Sequence, residues 1–459
     1  MSFFKAKVVP SARLKNQTSL HRCLTGFDLI LLGIGAIIGA GVFVLTGIAA
    51  ATKAGPAITF SYLLAGIASM FAALAYAELA TCVGGCGSAY NYIYTGFGEL
   101  IAWIIGWNLL FEYTVAVSSV AIGWSGYVGD ALLLSHIYLP TAILKNPFEG
   151  GWVNLLAVGI VIILGLVLSV GMKQSARFNA VIVFIKLLTI ALFIAVAIPH
   201  VNAANWQPFL PFGWHGVARG AALVFFAYIG FDALSTAAEE TTHPQRNLPI
   251  GIIGSMLICT LIYVVISGLL TAIMPYPLLN VKSPVADAMI YLRHPFVASL
   301  ISFGAIAGLT TVMLVLYYGL TRITLAIARD GLLPVRIAKV HSHTKTPIYI
   351  ITLGGILIAL VAGLMPLQEA AELVNIGTLS AFVFVCAAVI VLRMTKPDLP
   401  RPFKLPFNPI IPSLGILMCF YLMLNLSLIT WIRFIVWMFI GLLIYFTYGK
   451  KHSIRRHLN

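Results

Sequence analysis

Twelve times along the chain the sequence turns apolar for roughly the ~20 residues that cross hydrocarbon, with runs beginning near residues 27, 57, 97, 151, 178, 215, 248, 295, 347, 370, 409 and 431. Hydrophobic residues fill 60% of the 459 positions and charged ones only 9%, far below the roughly 25 to 35% of a water-soluble surface. The solvent of such a chain is the bilayer. Backbone N–H and C=O groups must then be paired within the segment itself, which leaves helices as the form of each run. The expectation is an all-α membrane protein of twelve transmembrane helices.

The net charge of +14 at pH 7 would suggest nucleic acid in a soluble protein, but here the charges are sorted by side. Most of the 28 Lys and Arg fall in the connections on the face that carries both termini, including the clusters Arg393, Lys396, Arg401, Lys404 and Lys450, Lys451, Arg455, Arg456. The positive-inside rule makes that face, and both termini, cytoplasmic. The clusters read as topology signals that can also touch anionic lipid, and no nucleic acid is called for. Residues 1–26 are polar and basic, and the first apolar run is too long for a signal-peptide core, so it is expected to stay as a span. Cys23, Cys82, Cys86, Cys259, Cys386 and Cys419 read as packing residues. With no His near Cys82 and Cys86, neither a metal site nor a cofactor is expected.

The first five span starts repeat in the next five at an offset of about 190 residues. An odd number of spans per unit makes the second copy enter from the opposite side, the inverted repeat of secondary transporters. The organisation expected is a terminal segment 1–26, repeats at 27–200 and 215–394, two further helices in 409–448 and a tail at 449–459. Both repeats open on a helix that invites interruption. The first carries Gly33, Gly35, Gly39 and Gly41 within nine residues, and each Gly costs about 1 kcal/mol of helix propensity. The sixth carries Phe225 to Asp232 (FFAYIGFD), with a Gly and a carboxyl at mid-depth. Unwound backbone at that depth survives where it lines a cavity. Resuming helix at Ile38, Gly39, Ala40 and Gly41 offers N–H groups and a positive dipole end to a carboxylate. The end of the first half of span six offers the carbonyls of Phe226, Ala227 and Ile229 to an ammonium. An α-amino acid carries both groups on one carbon.

Gly35 to Gly41 (GAIIGAG), Gly84 to Tyr94 (GGCGSAYNYIY), Phe225 to Asp232, Glu239 to Pro249 (EETTHPQRNLP) and Arg329 to Pro334 (RDGLLP) resemble the amino acid, polyamine and organocation superfamily, and within it the bacterial members of the cationic amino acid transporter family. That resemblance implies a fold like that of the bacterial leucine transporter, alternating access, and a 5+5 inverted repeat plus two C-terminal helices. It also implies that Lys186 in the fifth span takes the place that a sodium ion holds in other relatives, between the first and eighth helices. The expected contacts of its ammonium are backbone near Gly35 and polar groups near Thr310 or Thr311. A lysine at that depth is functional by default, and loss of its proton would loosen the inward gate.

A side-chain pocket is expected from Glu112, Phe231, Asp232, Met313 and Tyr317. Thr310, Met313 and Tyr317 share a face of the eighth span, and Met313 sets its width. Asp232 equally suits the cap of the second half of span six, and Glu112 equally suits a neutral, hydrogen-bonded carboxyl. Glu239, Arg246, Arg329 and Asp330 form the candidate cytoplasmic gate. Proton-coupled amino acid symport is the expected activity, with an ion-independent exchanger or a non-transporting sensor of the same fold as alternatives. Enzyme chemistry is not expected, because no HExxH or GxSxG pattern is present. The expected partners are an amino acid, protons and a bacterial cell membrane. Neither the charge of the substrate nor a small membrane-peptide partner follows from the residues.

Overall fold

The computed structural model describes residues 24–83, 89–171, 176–232, 234, 241–341, 344 and 346–453, and among these every regular element is helical. Seven stretches are long and apolar enough to cross a membrane, and α1 (Gly26–Ile37), α5 (Leu155–Val170), α11 (Ile348–Leu364) and α13 (Ile410–Leu424) are shorter apolar helices. In chain order the others are α2 (Ile58–Val83), α3 (Ala89–Phe97), α4 (Glu99–Leu134), α6 (Ala176–Ala197), α7 (Gly213–Val224), α8 (Pro244–Ile273), α9 (Pro284–Tyr291), α10 (Pro295–Arg329), α12 (Leu367–Thr395) and α14 (Leu428–Ile444).

Local chemistry explains where α1 begins and ends. Thr25 and Asp28 form a capping box: the Thr25 hydroxyl accepts from Asp28 N–H, and Asp28 accepts from Thr25 N–H at 2.9 Å. Helix stops at Ile38, which is extended at φ −72° and ψ 105°, and wider π-helical turns resume over Gly41–Leu45 and Ala50–Ala54. The matching interruption follows α7, whose last residues tighten into a 3-10 turn at Phe225–Tyr228 before Ile229 turns extended. Gly230 sits there at φ +117°, a backbone angle that favours glycine, and a Cβ on it would lie 2.8 Å from the Ala36 carbonyl oxygen. The two interruptions therefore touch. A Cβ on Gly41 would lie 2.3 Å from Ala227 Cα.

Around this joint, α4 packs along α10 and α12, while α8 packs along α1 and α2. Two polar ties hold the layers at their basic end. Glu78, buried at the end of α2, accepts from Arg393 Nε at 2.9 Å and Nη2 at 2.5 Å and from Leu405 N–H at 2.7 Å, with Arg401 Nε 3.6 Å away. Glu99 at the start of α4 accepts from Tyr94, Tyr445 and Ser453, which draws the chain end onto the helix. Cys82, Cys259, Cys386 and Cys419 are free thiols, whereas Cys23 and Cys86 lie outside the described residues.

Removing one partner of a buried ion pair strands the other's charge, a loss of about 3 kcal/mol. Glu78→Ala is accordingly expected to lower the melting temperature in detergent more than Glu149→Ala, whose pair with Lys282 is about one quarter exposed on each side. Fluorescence-detected thermal unfolding of the two variants beside the parent checks this.

Candidate functional site

Breaking a helix inside a membrane strands carbonyls, and side chains from five other helices collect them here. Lys186 on α6 is fully buried, and its ammonium donates to the carbonyls of Gly35 at 2.7 Å and Ile38 at 2.9 Å. Tyr62 of α2 donates to Gly41 at 3.0 Å and Tyr127 of α4 to Phe43 at 2.6 Å. Asn375 of α12 donates to Ala222 and Leu223, at 2.7 and 2.8 Å. Tyr263 of α8 lies 3.0 Å from Ile37 O and 2.9 Å from Ala227 O, so a single hydroxyl spans both interruptions. None of these tyrosines or Asn375 stood out in the sequence. Each is an ordinary span residue whose partner is a backbone atom far along the chain.

Thr310 and Thr311 are not partners of Lys186. The Thr310 hydroxyl donates to Ile306 and accepts from Trp124 Nε1 at 3.0 Å, and the Thr311 hydroxyl donates to Gly308 at 2.8 Å. What α10 offers the lysine is space, since a Cβ on Gly308 would lie 2.8 Å from Lys186 Cε. Close approach was met by glycine rather than by a hydroxyl.

Between the interruptions lies a small cavity lined by Ala36, Ile37, Gly39, Ala40, Gly41, Phe226, Ile229, Ala116, Val120, Val312 and Leu316. It encloses about 10 Å³, room for about one water, so the surrounding helix halves must separate to admit anything larger. Its two ends carry opposite dipoles. The helix that resumes through Gly39–Gly41 places its N-terminal end in the lining, while Ile38 N–H is spent on Ile34 at 2.9 Å and so is withdrawn from that end. Opposite, Phe226 O accepts from Ile229 N–H at 3.3 Å and Ala227 O from Tyr263, so Ile229 is the member of the three whose carbonyl those bonds leave uncommitted.

The side-chain wall differs from the expected one by one helical position. Val312 and Leu316 face the cavity; Met313 and Tyr317 do not, and Tyr317 donates to Ile351 O on α11 at 2.6 Å. Periodicity gives the width of a helix face but not its phase when every side of the helix is apolar. Phe231 is packed between Tyr76 and Phe382, and Asp232 accepts from Tyr113 at 2.9 Å. Glu112 is buried one turn below Ala116 on α4, with its Oε2 unpaired among the described residues. These acidic groups lie beneath the cavity rather than in its wall. The cap expected from Asp232 falls on residues 233 and 235–240, outside the described residues.

Of the candidate gate, Glu239 also lies outside the described residues. Asp330 accepts from Tyr90 at 2.7 Å. Among the described residues no ion pair joins Arg246 or Arg329, and Arg246 lies at the rim of a groove with Pro402 and Phe403. Position in the motif did not fix pairing, because the loops set which charges meet.

At the opposite end the closure is acidic, and sequence reasoning did not find it. α9, in the connection between α8 and α10, brings Ser283 and Asp287 against Asp130 at the end of α4. The Ser283 hydroxyl lies within hydrogen-bond distance of both carboxyls, 3.3 Å for Asp287. Burial, and next the charge of Asp130, push the Asp287 carboxyl up to about 6, against the pull of the Ser283 hydroxyl.

Buried interrupted helices with opposed dipole ends are the arrangement of a membrane carrier. The chain belongs to the amino acid permease family, whose model matches residues 24–449, a family of transporters and not of enzymes within the amino acid, polyamine and organocation superfamily. It is 50% identical to the branched-chain amino acid permease BcaP of Bacillus subtilis, over 98% of each chain. It is 46% identical to a methylthioribose transporter of Bacillus subtilis over 99% of each, and 30% identical to mouse cationic amino acid transporter 4 over 97% of this chain and 90% of that one.

Two outcomes follow from this geometry. Gly41→Val drives side-chain atoms into Ala227, where overpacking costs about 1 to 3 kcal/mol, so substrate binding should weaken roughly tenfold, while Gly159→Ala, with open space around it, should bind as the parent does. Tryptophan-fluorescence titration with substrate reads both. For Asp287 the folded carboxyl holds its proton more tightly than an unfolded one near 3.9, so the folded state is favoured below about 4 and loses that advantage as pH rises toward about 6. Melting temperature should fall over that window in the parent and stay flatter in Asp287→Asn.

Proposed function

We propose that this protein is a secondary active symporter of neutral, apolar amino acids that works by alternating access and is coupled to protons through Lys186. The observation that carries the reading is the cavity itself: opposed dipole ends from two touching interruptions, with aliphatic walls between them. Gly39, Ala40 and Gly41 take the carboxylate on their N–H groups. Ile229, with the second lone pairs of the Phe226 and Ala227 carbonyls, takes the ammonium. Val120, Val312 and Leu316 receive the side chain, which favours branched aliphatic groups over charged ones. The 50% identity to a protein named a branched-chain amino acid permease supports this choice. The 46% identity to one named a methylthioribose transporter makes a neutral thio-sugar the second candidate, since hydroxyls also suit the same backbone groups.

In this reading the chain spans a bacterial plasma membrane twelve times as two inverted five-helix repeats, 27–200 and 215–394, followed by two helices in 409–448, with residues 1–26 and 449–459 cytoplasmic. α1 with its resumption after Gly39 is span one, and α7 opens span six. The Lys186 ammonium holds the end of α1 by the Gly35 and Ile38 carbonyls. Losing the proton removes the charge from those bonds and frees α1 to move, which opens the basic end. Glu112 and Asp232 lie on the path below the cavity, where a proton or an ammonium passing inward meets carboxyl groups. Arg329 and Asp330 line the mouth of that path.

Uptake of radiolabelled leucine into proteoliposomes under an imposed pH gradient tests the reading. The parent should accumulate leucine without sodium, with isoleucine and valine competing better than arginine or methylthioribose. Lys186→Ala should bind leucine but fail to accumulate it. A parent that requires sodium, or a Lys186→Ala variant with full proton-driven uptake, would overturn the coupling assignment. Better competition by arginine would overturn the substrate class. Counterflow with no response to pH would make the protein an exchanger, and no flux with retained binding a sensor.

A further inference from the structure

A second groove in the structure shares no lining residue with the substrate cavity. It encloses about 480 Å³ at the basic end of α8, lined by Gln245, Arg246, Ile250, Ile253, Leu257 and Phe403 among others. The lining positions on α8 run down one face, and from Arg246 to Leu257 they cover about 16 Å at 1.5 Å per residue. Ile250 and Leu257 are 42% and 58% exposed. The floor is the seam between α8 and α1, since a Cβ on Gly254 would lie 3.0 Å from Ile30.

Polarity is confined to the top. Arg246 is exposed and joined to no carboxylate among the described residues, and exposed Lys404 follows Phe403 on the facing lip. Pro249, inside α8, has no N–H to give the Gln245 carbonyl, so that oxygen is left as an acceptor beside the two cations. The facing lip is held in place rather than loose. Arg401 Nη atoms donate to the carbonyls of Leu392, Lys396, Pro397 and Leu399 at 2.8 to 2.9 Å, and Leu405 N–H donates to Glu78. A built groove of this kind has cations and an acceptor at one end and an apolar wall beneath.

We propose that this groove is a binding site for one anionic phospholipid with a hydroxylated headgroup, of the phosphatidylglycerol type. The phosphate sits between Arg246 and Lys404, a headgroup hydroxyl donates to the Gln245 carbonyl, and an acyl chain lies along Ile250, Ile253 and Leu257. Charge complementarity selects this occupant. A soluble organic phosphate would leave the apolar 16 Å uncovered, and a neutral lipid would leave two cations at the lip without a counter-charge. Arg246 thereby belongs to a lipid site at the edge of the bundle and not to the gate proposed for the mouth.

Native mass spectrometry of the full chain, released from detergent with phosphatidylglycerol or phosphatidylethanolamine added, tests the assignment. The parent should retain phosphatidylglycerol selectively. Arg246→Gln with Lys404→Gln should retain it roughly tenfold less, each cation near such a headgroup contributing about fivefold at most. Leu257→Trp, which fills the groove and leaves its charges intact, should lose it too, while Lys451→Gln on the distant tail should retain it as the parent does. Equal retention by the double variant and the parent would overturn the site, as would unchanged retention by Leu257→Trp. Displacement by glycerol 1-phosphate alone would show a headgroup-only anion site, and dimers that disappear in Leu257→Trp while lipid persists would show a second copy as the occupant; either result rejects the lipid assignment.

Discussion

Everything in this molecule depends on how unpaired backbone is tolerated at membrane depth. An uncompensated amide there costs several kcal/mol, and two interrupted helices expose several at once. The solution is distributed: Tyr62, Tyr127, Lys186, Tyr263 and Asn375 each come from a different helix and each end on a carbonyl freed by a break. The helices around the joint are consequently held by hydrogen bonds to backbone rather than by apolar packing alone, which in lipid gives no preference for helix over tail. Tyr263 makes the two breaks interdependent. Its hydroxyl has one hydrogen and two carbonyl neighbours, Ile37 and Ala227, so strengthening its bond to one weakens its bond to the other. Movement of either half-helix is felt at its counterpart through that one proton.

Sequence revealed the breaks because glycine clustering is a backbone signal, and it revealed Lys186 because an ammonium in an apolar run has few explanations. It did not reveal which residues pair the freed carbonyls. Tyrosine and asparagine are common in spans, and their acceptors carry no side-chain signature at all. The wall of the cavity was misphased for a related reason. On α10 apolar residues occur on every side, so Met313 and Val312 are equally plausible from spacing, and only the packing of α10 against α4 selects Val312 and Leu316. The acidic closure at Asp130, Ser283 and Asp287 was hidden because Asp130 lies 153 residues from Ser283 and the two carboxyls would be expected to repel. The gate charges show the opposite failure, in which a recognisable motif supplied residues whose partners the loops then decided.

Separating the site into backbone and side-chain parts explains how one architecture can sit beside relatives of different named substrates. Under the proposed reading, the dipole ends at Gly39–Gly41 and Ile229 take up adjacent acceptor and donor groups, and their geometry is set by where the helices break. Side-chain selection falls instead to Ala116 and Val120 on α4 and Val312 and Leu316 on α10, which contribute no polar atom to the wall. Aliphatic walls penalise a charged side chain by its desolvation and a polar one by its unmet hydrogen bonds, whereas they separate aliphatic side chains from one another only by size. Glu112 modifies this balance without entering the wall. Lying one turn from Ala116 with one oxygen unpaired among the described residues, it stands outside the lining and is met by a side chain only beyond Ala116. A long cationic side chain would therefore have to reach past Ala116 before meeting its counter-charge, a cost that a branched aliphatic one does not meet, and this ordering of costs supports the proposed preference for neutral substrates.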